Sequence, residues 1–207
     1  MTRKPIRCEL VSWHRVHQLS RKLALQVLQS RFRPNVVVAI ARGGYVPARI
    51  LCDFLDVYDL RSLRVEHYRK GAAKKPRARL VDRLGVGLNG KRVLIVDDVS
   101  DTGDTFDVSI AHIAAFQPRD VKTAVLHHKT VSHYIPDFFA QKVVRWRWFI
   151  YPWAVLEDLS GFLTASGAGH PSVARLAKHF ETAHGVKVPR ATLDDLIRIT
   201  PRAGVGG

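Results

Sequence analysis

Apolar residues follow two patterns along this chain. Unbroken runs at 36–40 (VVVAI) and 93–96 (VLIV) predict strands buried on both faces, as in a parallel sheet, and 63–68 and 121–127 predict two more. Elsewhere the spacing is helical. Trp13, Val16, Leu19, Leu23, Val27 and Leu28 predict a helix over 12–31 with Ser12 as N-cap, and 106–116 predicts another. Val46, Ile50, Leu51 and Phe54 mark the inner side of a helix over 45–55. Strands alternating with helices imply an α/β fold with a mostly parallel central sheet flanked by helices. From Gly161 the character shifts: Gly161, Gly167 and Gly169 loosen the chain, and 171–184 and 192–199 read as two short helices. Thr192 and Asp195 give the second a start resembling a capping box. The tail 202–207 reads as disordered.

Residues with chemical potential lie where these strands end. After the run 93–96 come Asp97 and Asp98, expected at the strand's end, then a loop of Ser100, Asp101, Thr102, Gly103, Asp104 and Thr105 and a helix start. Free N–H groups and hydroxyls converge there on the positive end of the helix dipole, which makes an anion site. The acids would repel a bare phosphate, so the ligand must offer hydroxyls, a divalent cation, or both. A phosphorylated sugar with vicinal hydroxyls and Mg²⁺ meets these demands. The strand 36–40 empties into Ala41-Arg42-Gly43-Gly44, where paired glycines let backbone approach a ligand and Arg42 adds charge.

Other stretches are easier to mistake. Arg69, Lys70, Lys74, Lys75, Arg77 and Arg79, interspersed with Gly71 and Pro76, read as a mobile basic loop. Residues 85–90 (GVGLNG) fit G-x-G-x-x-G but precede a strand rather than following one, which excludes a dinucleotide fingerprint. His127 and His128 read as structural histidines. Residues 145–153 (RWRWFIYPW) offer aromatic faces on which a flat base could stack.

Composition changes the picture in two places. The net charge of +15, from 33 basic and 18 acidic residues, favours anionic partners. Cys8 and Cys52 are widely spaced and support neither a zinc site nor a disulfide framework. No apolar run approaches membrane-spanning length and the basic start has no signal-like apolar stretch, so the expected location is cytoplasmic.

The stretch 92–105 (RVLIVDDVSDTGDT) closely resembles the ribose-phosphate signature of the type I phosphoribosyltransferases. The resemblance spans about 12–158 and implies that family's fold, with a core over 1–160, a flexible basic hood over about 66–90 and a small C-terminal helical appendage over 161–207. It implies that Ser100, Asp101, Thr102, Gly103, Asp104 and Thr105 bind phosphoribosyl pyrophosphate (PRPP), that Asp97 and Asp98 hold its ribose hydroxyls directly or through Mg²⁺, and that Asp101 handles the proton of the incoming base. Ala41, Arg42, Gly43 and Gly44 would hold pyrophosphate, with a cis peptide at Ala41–Arg42, and the hood would join them through Tyr68, Arg69 and Lys70. Arg42 and Asp101 would be catalytic. The run 148–153 resembles the W-I-x-x-P-W segment of purine members, which places Trp148 and Phe149, with Lys129, at the base; where that family often has Asp after the last Trp, Ala154 stands here. The partners implied are PRPP, a purine and a second copy of the chain, as a homodimer or larger homo-oligomer. Lys129 suits a six-oxopurine, yet the whole chain resembles archaeal enzymes that use adenine, and adenine, giving AMP, is the narrow expectation. A PRPP-sensing nucleic-acid-binding regulator is the alternative of another class, disfavoured because Asp101, Lys129 and Trp148 are all present.

Overall fold

The computed structural model describes residues 6–68, 77–85, 87–166 and 172–199. The elements in order are β1 (Cys8–Leu10), α1 (Trp13–Gln29), β2 (Val36–Ala41), α2 (Tyr45–Leu55), β3 (Leu60–Tyr68), β4 (Arg77–Asp82), β5 (Arg92–Ser100), α3 (Asp104–Ala114), β6 (Asp120–Lys129), β7 (Phe138–Val143), β8 (Trp148–Ile150), α4 (Val155–Ser166), α5 (Val173–His179), a π-helical turn (Phe180–His184) and α6 (Arg190–Ile199). Two compact units are present: 14–146, and 1–13 together with 147–207.

The larger unit carries a six-stranded sheet in the order β4-β3-β2-β5-β6-β7. It is parallel except for β4, which runs antiparallel to β3. The runs that predicted two-faced burial lie at its centre: Val36 to Ile40 and Val93 to Val96 are all buried. Ile113 and Phe106 of α3 join Val38, Ile40, Val93 and Ile95 in one apolar cluster. In α1 the stripe Val16, Leu19, Leu23 and Val27 is buried as its spacing predicted, whereas Trp13 is exposed. α2 turns a neighbouring face inward, burying Pro47, Ala48, Leu51 and Cys52 and leaving Val46, Ile50 and Phe54 partly covered. The shift follows from small Ala48 and Pro47, which let the first turn of α2 lie close to the sheet.

The hood expectation needs correcting. Glu66 to Tyr68 and Arg77 to Asp82 are hydrogen-bonded strand rather than loop, with Tyr68 opposite Arg77. Leu80 packs partly against the core, and its alternation with charged Arg79 holds the segment as a sheet edge. Residues 69–76, where the basic loop was expected, lie outside the described residues. Gly90 (φ 68°) makes the turn into β5, consistent with the rejection of a dinucleotide fingerprint. β5 runs on past the apolar stretch through Asp97 and Asp98 to Ser100 because β6 keeps pairing with it, Ser100 lying opposite His128.

The smaller unit departs from the boundary expected at 160. β1 pairs in parallel with β8, Cys8 opposite Trp148 and Leu10 opposite Ile150, so the first strand and the aromatic run belong with the C-terminal helices. Ile150, Leu159, Leu163, Leu176, Phe180, Leu193 and Leu196 form its core. α4 passes straight through Gly161, because burial of Leu159 and Leu163 on one face outweighs the ~1 kcal/mol cost of a helical glycine. Thr192 is not the N-cap of α6: the helix begins at Arg190, and the Pro189 carbonyl accepts from the Leu193 N–H at 3.1 Å. Among the described residues no helix is long and apolar enough to cross a membrane.

Candidate active site

The strand order reverses between β2 and β5, which pair in parallel through Val36–Val93 and Ala39–Val96. α2 and β3 lie to one side in the chain's path, α3 and β6 to the other, so the loops after β2 and β5 leave a crevice at their carboxyl ends. The residues expected from both loops meet there.

The loop after β2 carries a cis peptide at Ala41–Arg42, as the resemblance implied. A β-carbon on Gly43 would stand 2.6 Å from Asp98 Cγ, and one on Gly44 would stand 2.7 Å from the Ile40 carbonyl oxygen. Only bare backbone fits between the strands at this level. Arg42 is exposed, and Ala41, Arg42, Tyr45, Arg64, Val65, Glu66 and Asp82 line a cavity of about 740 Å³. Arg64 and Tyr45 extend the basic and hydrogen-bonding lining beyond what the sequence indicated. Tyr68 ends β3, and Arg69 and Lys70 lie outside the described residues.

Asp97 is buried, and its Oδ1 accepts the Asp98 N–H at 2.9 Å. Burial and the neighbouring Asp98 carboxylate push the Asp97 carboxyl well above the ordinary carboxylate range. Two adjoining hard oxygen donors, one kept short of water, form a set that a divalent cation fits.

Beyond them the β5–α3 loop closes a helix N-terminus. Gly103 caps α3 at φ 105°, and its carbonyl accepts from the Phe106 N–H at 2.9 Å and the Asp107 N–H at 3.2 Å. Thr102 Oγ1 donates to Asp104 Oδ2 at 3.0 Å. Residues 132–134 brace this turn: the His133 N–H donates to the Thr102 carbonyl at 3.0 Å, and Tyr134 stacks on Phe106 with ring centroids 5.1 Å apart. Ser100 must be reassigned. It is buried, with its hydroxyl 2.8 Å from that of Ser132, so it ties the two loops together and does not face a ligand. Thr105 sits in the first turn of α3, its carbonyl accepting from Ser109 Oγ.

Asp101 is the most heavily engaged side chain of the loop. Lys129 Nζ lies 3.1 Å from Oδ2, and Trp146 Nε1 donates to Oδ1 at 2.9 Å. Lys129 is buried at the end of β6, and its ammonium lies 4.4 Å from the Trp146 ring centroid. Burial pulls the Lys129 ammonium below the ordinary lysine range, opposed by the Asp101 carboxylate. Trp146 was missed in the sequence because a run of alternating aromatics does not show which ring turns toward which loop. His127 and His128 are buried in β6, and His128 packs on Phe139, as structural histidines do.

Trp148 and Phe149 belong to the smaller unit. Trp148 is partly exposed at the start of β8, lies edge-on to Phe162 at 6.2 Å and hydrogen-bonds Asp158, whereas Phe149 is buried.

Comparison with known proteins decides the family. Residues 8–158 match the phosphoribosyl transferase domain. The chain belongs to the phosphoribosyltransferase family. It is 28% identical over 189 residues to a hypoxanthine-guanine phosphoribosyltransferase of Saccharomyces cerevisiae, covering 70% of this chain and 85% of that one. It is 29% identical over 143 residues to a xanthine-guanine phosphoribosyltransferase of Desulfotalea psychrophila, covering 69% and 84%. The crystal structure of a purine phosphoribosyltransferase from Pyrococcus horikoshii aligns with a TM-score of 0.63 at 30% identity, covering 70% of this chain and 93% of that one. This phosphoribosyltransferase is therefore a glycosyltransferase of the purine class, with the mostly parallel α/β sheet of its relatives.

Proposed function

We propose that this enzyme joins a six-oxopurine, hypoxanthine, guanine or xanthine, to C1 of PRPP and releases pyrophosphate. The observation that carries the reading is the buried Lys129 ammonium, set 3.1 Å from the Asp101 carboxylate at one strand end. An ammonium only donates hydrogen bonds; a six-oxo group accepts them and the adenine amino group does not. The relatives named for hypoxanthine, guanine and xanthine support the same choice. This reverses the adenine preference drawn from the resemblance to archaeal enzymes.

In this reading the α3 N-terminus, with Thr102, Gly103, Asp104 and Thr105, holds the 5′-phosphate. Asp97 and Asp98 hold the ribose hydroxyls and would hold a Mg²⁺ ion, which would supply positive charge against the leaving pyrophosphate. Ala41, Arg42, Gly43 and Gly44 receive that pyrophosphate, with Arg42 opposing its growing charge. As the base nitrogen bonds to C1 and the C1–O bond breaks, Asp101 takes the proton that the nitrogen loses. The test is incubation with PRPP and Mg²⁺ and, in turn, adenine, hypoxanthine, guanine, xanthine, uracil and orotate, scored for nucleotide. Nucleotide from the six-oxopurines at about tenfold or more over adenine is expected, the discrimination of one buried hydrogen bond. Adenine as sole substrate, or no turnover with tight, salt-steep binding of duplex DNA, would overturn it.

A further inference from the structure

Three groups near the β5 and β6 ends satisfy one another in a way the proposed reaction does not require. Asp101 accepts from Lys129 on one oxygen and from the Trp146 indole N–H on the other, while the indole face covers the Lys129 ammonium. Trp146 precedes β8 in an irregular stretch and is 42% exposed, so its ring is not fixed by a core. An indole is a bicyclic aromatic whose five-membered ring carries an N–H. A purine is the same in outline, and its five-membered ring presents the N–H that Asp101 would receive.

We propose that Trp146 is a placeholder for the purine: in the empty enzyme its indole N–H occupies Asp101 and its face covers Lys129, and an entering base must displace it from both. The inference rests on the six-oxopurine reading given above. Its logic is that of a built-in competitor. Asp101 and Lys129 already pair with each other, and Trp146 adds a donor for the second carboxylate oxygen and a ring against the ammonium, which eases the cost of holding these charges in a site awaiting a ligand. Trp146 then leaves, because its exposure makes the exchange cheap. The cost falls on the apparent affinity for the base and not on PRPP, since the groups Trp146 occupies are Asp101 and Lys129.

The test compares Trp146→Phe, which keeps a ring over Lys129 but loses the N–H, with Trp146→Gln, which loses the ring but restores an N–H donor. Hypoxanthine KM at saturating PRPP, PRPP KM at saturating hypoxanthine, and kcat are measured for each. The Phe variant is expected to lower the hypoxanthine KM by about three- to tenfold with PRPP KM unchanged, the scale of a typical net hydrogen bond at a partly exposed donor. The Gln variant is expected to return toward wild type. A purely structural role would raise KM or lower kcat in both variants. Hypoxanthine KM unchanged or raised in the Phe variant of an enzyme whose wild type makes nucleotide sinks the placeholder and leaves the function standing. Equilibrium dialysis of hypoxanthine with pyrophosphate and Mg²⁺ reads the same comparison without turnover: tighter binding by Trp146→Phe supports the placeholder, and equal or weaker binding refutes it.

Discussion

Gly43 and Asp98 stand so close that a β-carbon on the glycine would lie 2.6 Å from the carboxyl carbon of the acid. The loop after β2 and the acid pair at the end of β5 are thus packed as one object. Gly43→Ala must push Asp98 away from the crevice, and overpacking of this kind costs about 1–3 kcal/mol. The expected result is a fall of about tenfold or more in kcat/KM for PRPP with a smaller change in KM for the base, the difference read by steady-state kinetics beside a thermal melt.

Asp101 predicts a separation of binding from chemistry. Asp101→Asn keeps an oxygen for the Trp146 N–H and leaves the Thr102–Thr105 turn untouched, so PRPP should bind nearly as before. Turnover should fall by about 10²- to 10⁴-fold, the usual contribution of a positioned proton acceptor. Near-normal turnover in that variant would remove Asp101 from the mechanism.

Lys129→Met keeps the length of the side chain and removes its charge. Loss of one charge-assisted hydrogen bond should lower kcat/KM for hypoxanthine by about 10- to 100-fold and spare adenine. Parallel kinetics with the two bases measure the ratio, and an unchanged ratio would show that Lys129 does not read the six-position.

Asp158 predicts a pH dependence of stability. Burial, and then Glu157, raise its carboxyl from 3.8 to about 6, while the bond from Trp148 works the other way. The folded chain therefore holds this proton more tightly than the unfolded chain does. Its stabilising contribution is present below the ordinary carboxylate range and is lost as pH rises through about 6. Asp158→Asn should gain stability over wild type at pH 7 to 8 and show little gain near pH 4, checked by denaturant titration at both ends.

Phe180 is fully buried among Leu159, Leu176 and Leu196. Phe180→Ala should destabilise the smaller unit by about 3–5 kcal/mol, read by urea unfolding.

Much of this arrangement is legible in the chain. β2, β5 and β6 are readable because parallel strands covered on both faces need unbroken apolar runs, and Asp97 to Thr105 because a strand, an acid pair and a Gly/Thr turn have few other uses. β1 is not readable: Cys8–Leu10 is a strand only because Trp148–Ile150 pairs with it, and no local pattern encodes a distant partner. β4 is masked by its arginines, although Leu80 alternates with them toward the core. β7 leaves only a faint trace, Ala140 and Val143 being its buried positions. Ser100 shows the opposite failure: a hydroxyl within a phosphate motif reads as a ligand, and only the facing Ser132 shows that it is spent inside the protein.

The contact between the segment before β1 and the π-helical turn also orders events during synthesis. His184 Nδ1 and the Ile6 carbonyl, 2.8 Å apart in the folded chain, are separated by 178 residues of sequence. At ~5–20 residues per second, roughly 10 to 35 s pass between the translation of one and that of the other. Ile6, at the entrance to β1, therefore waits that long for its partner in the π-helical turn.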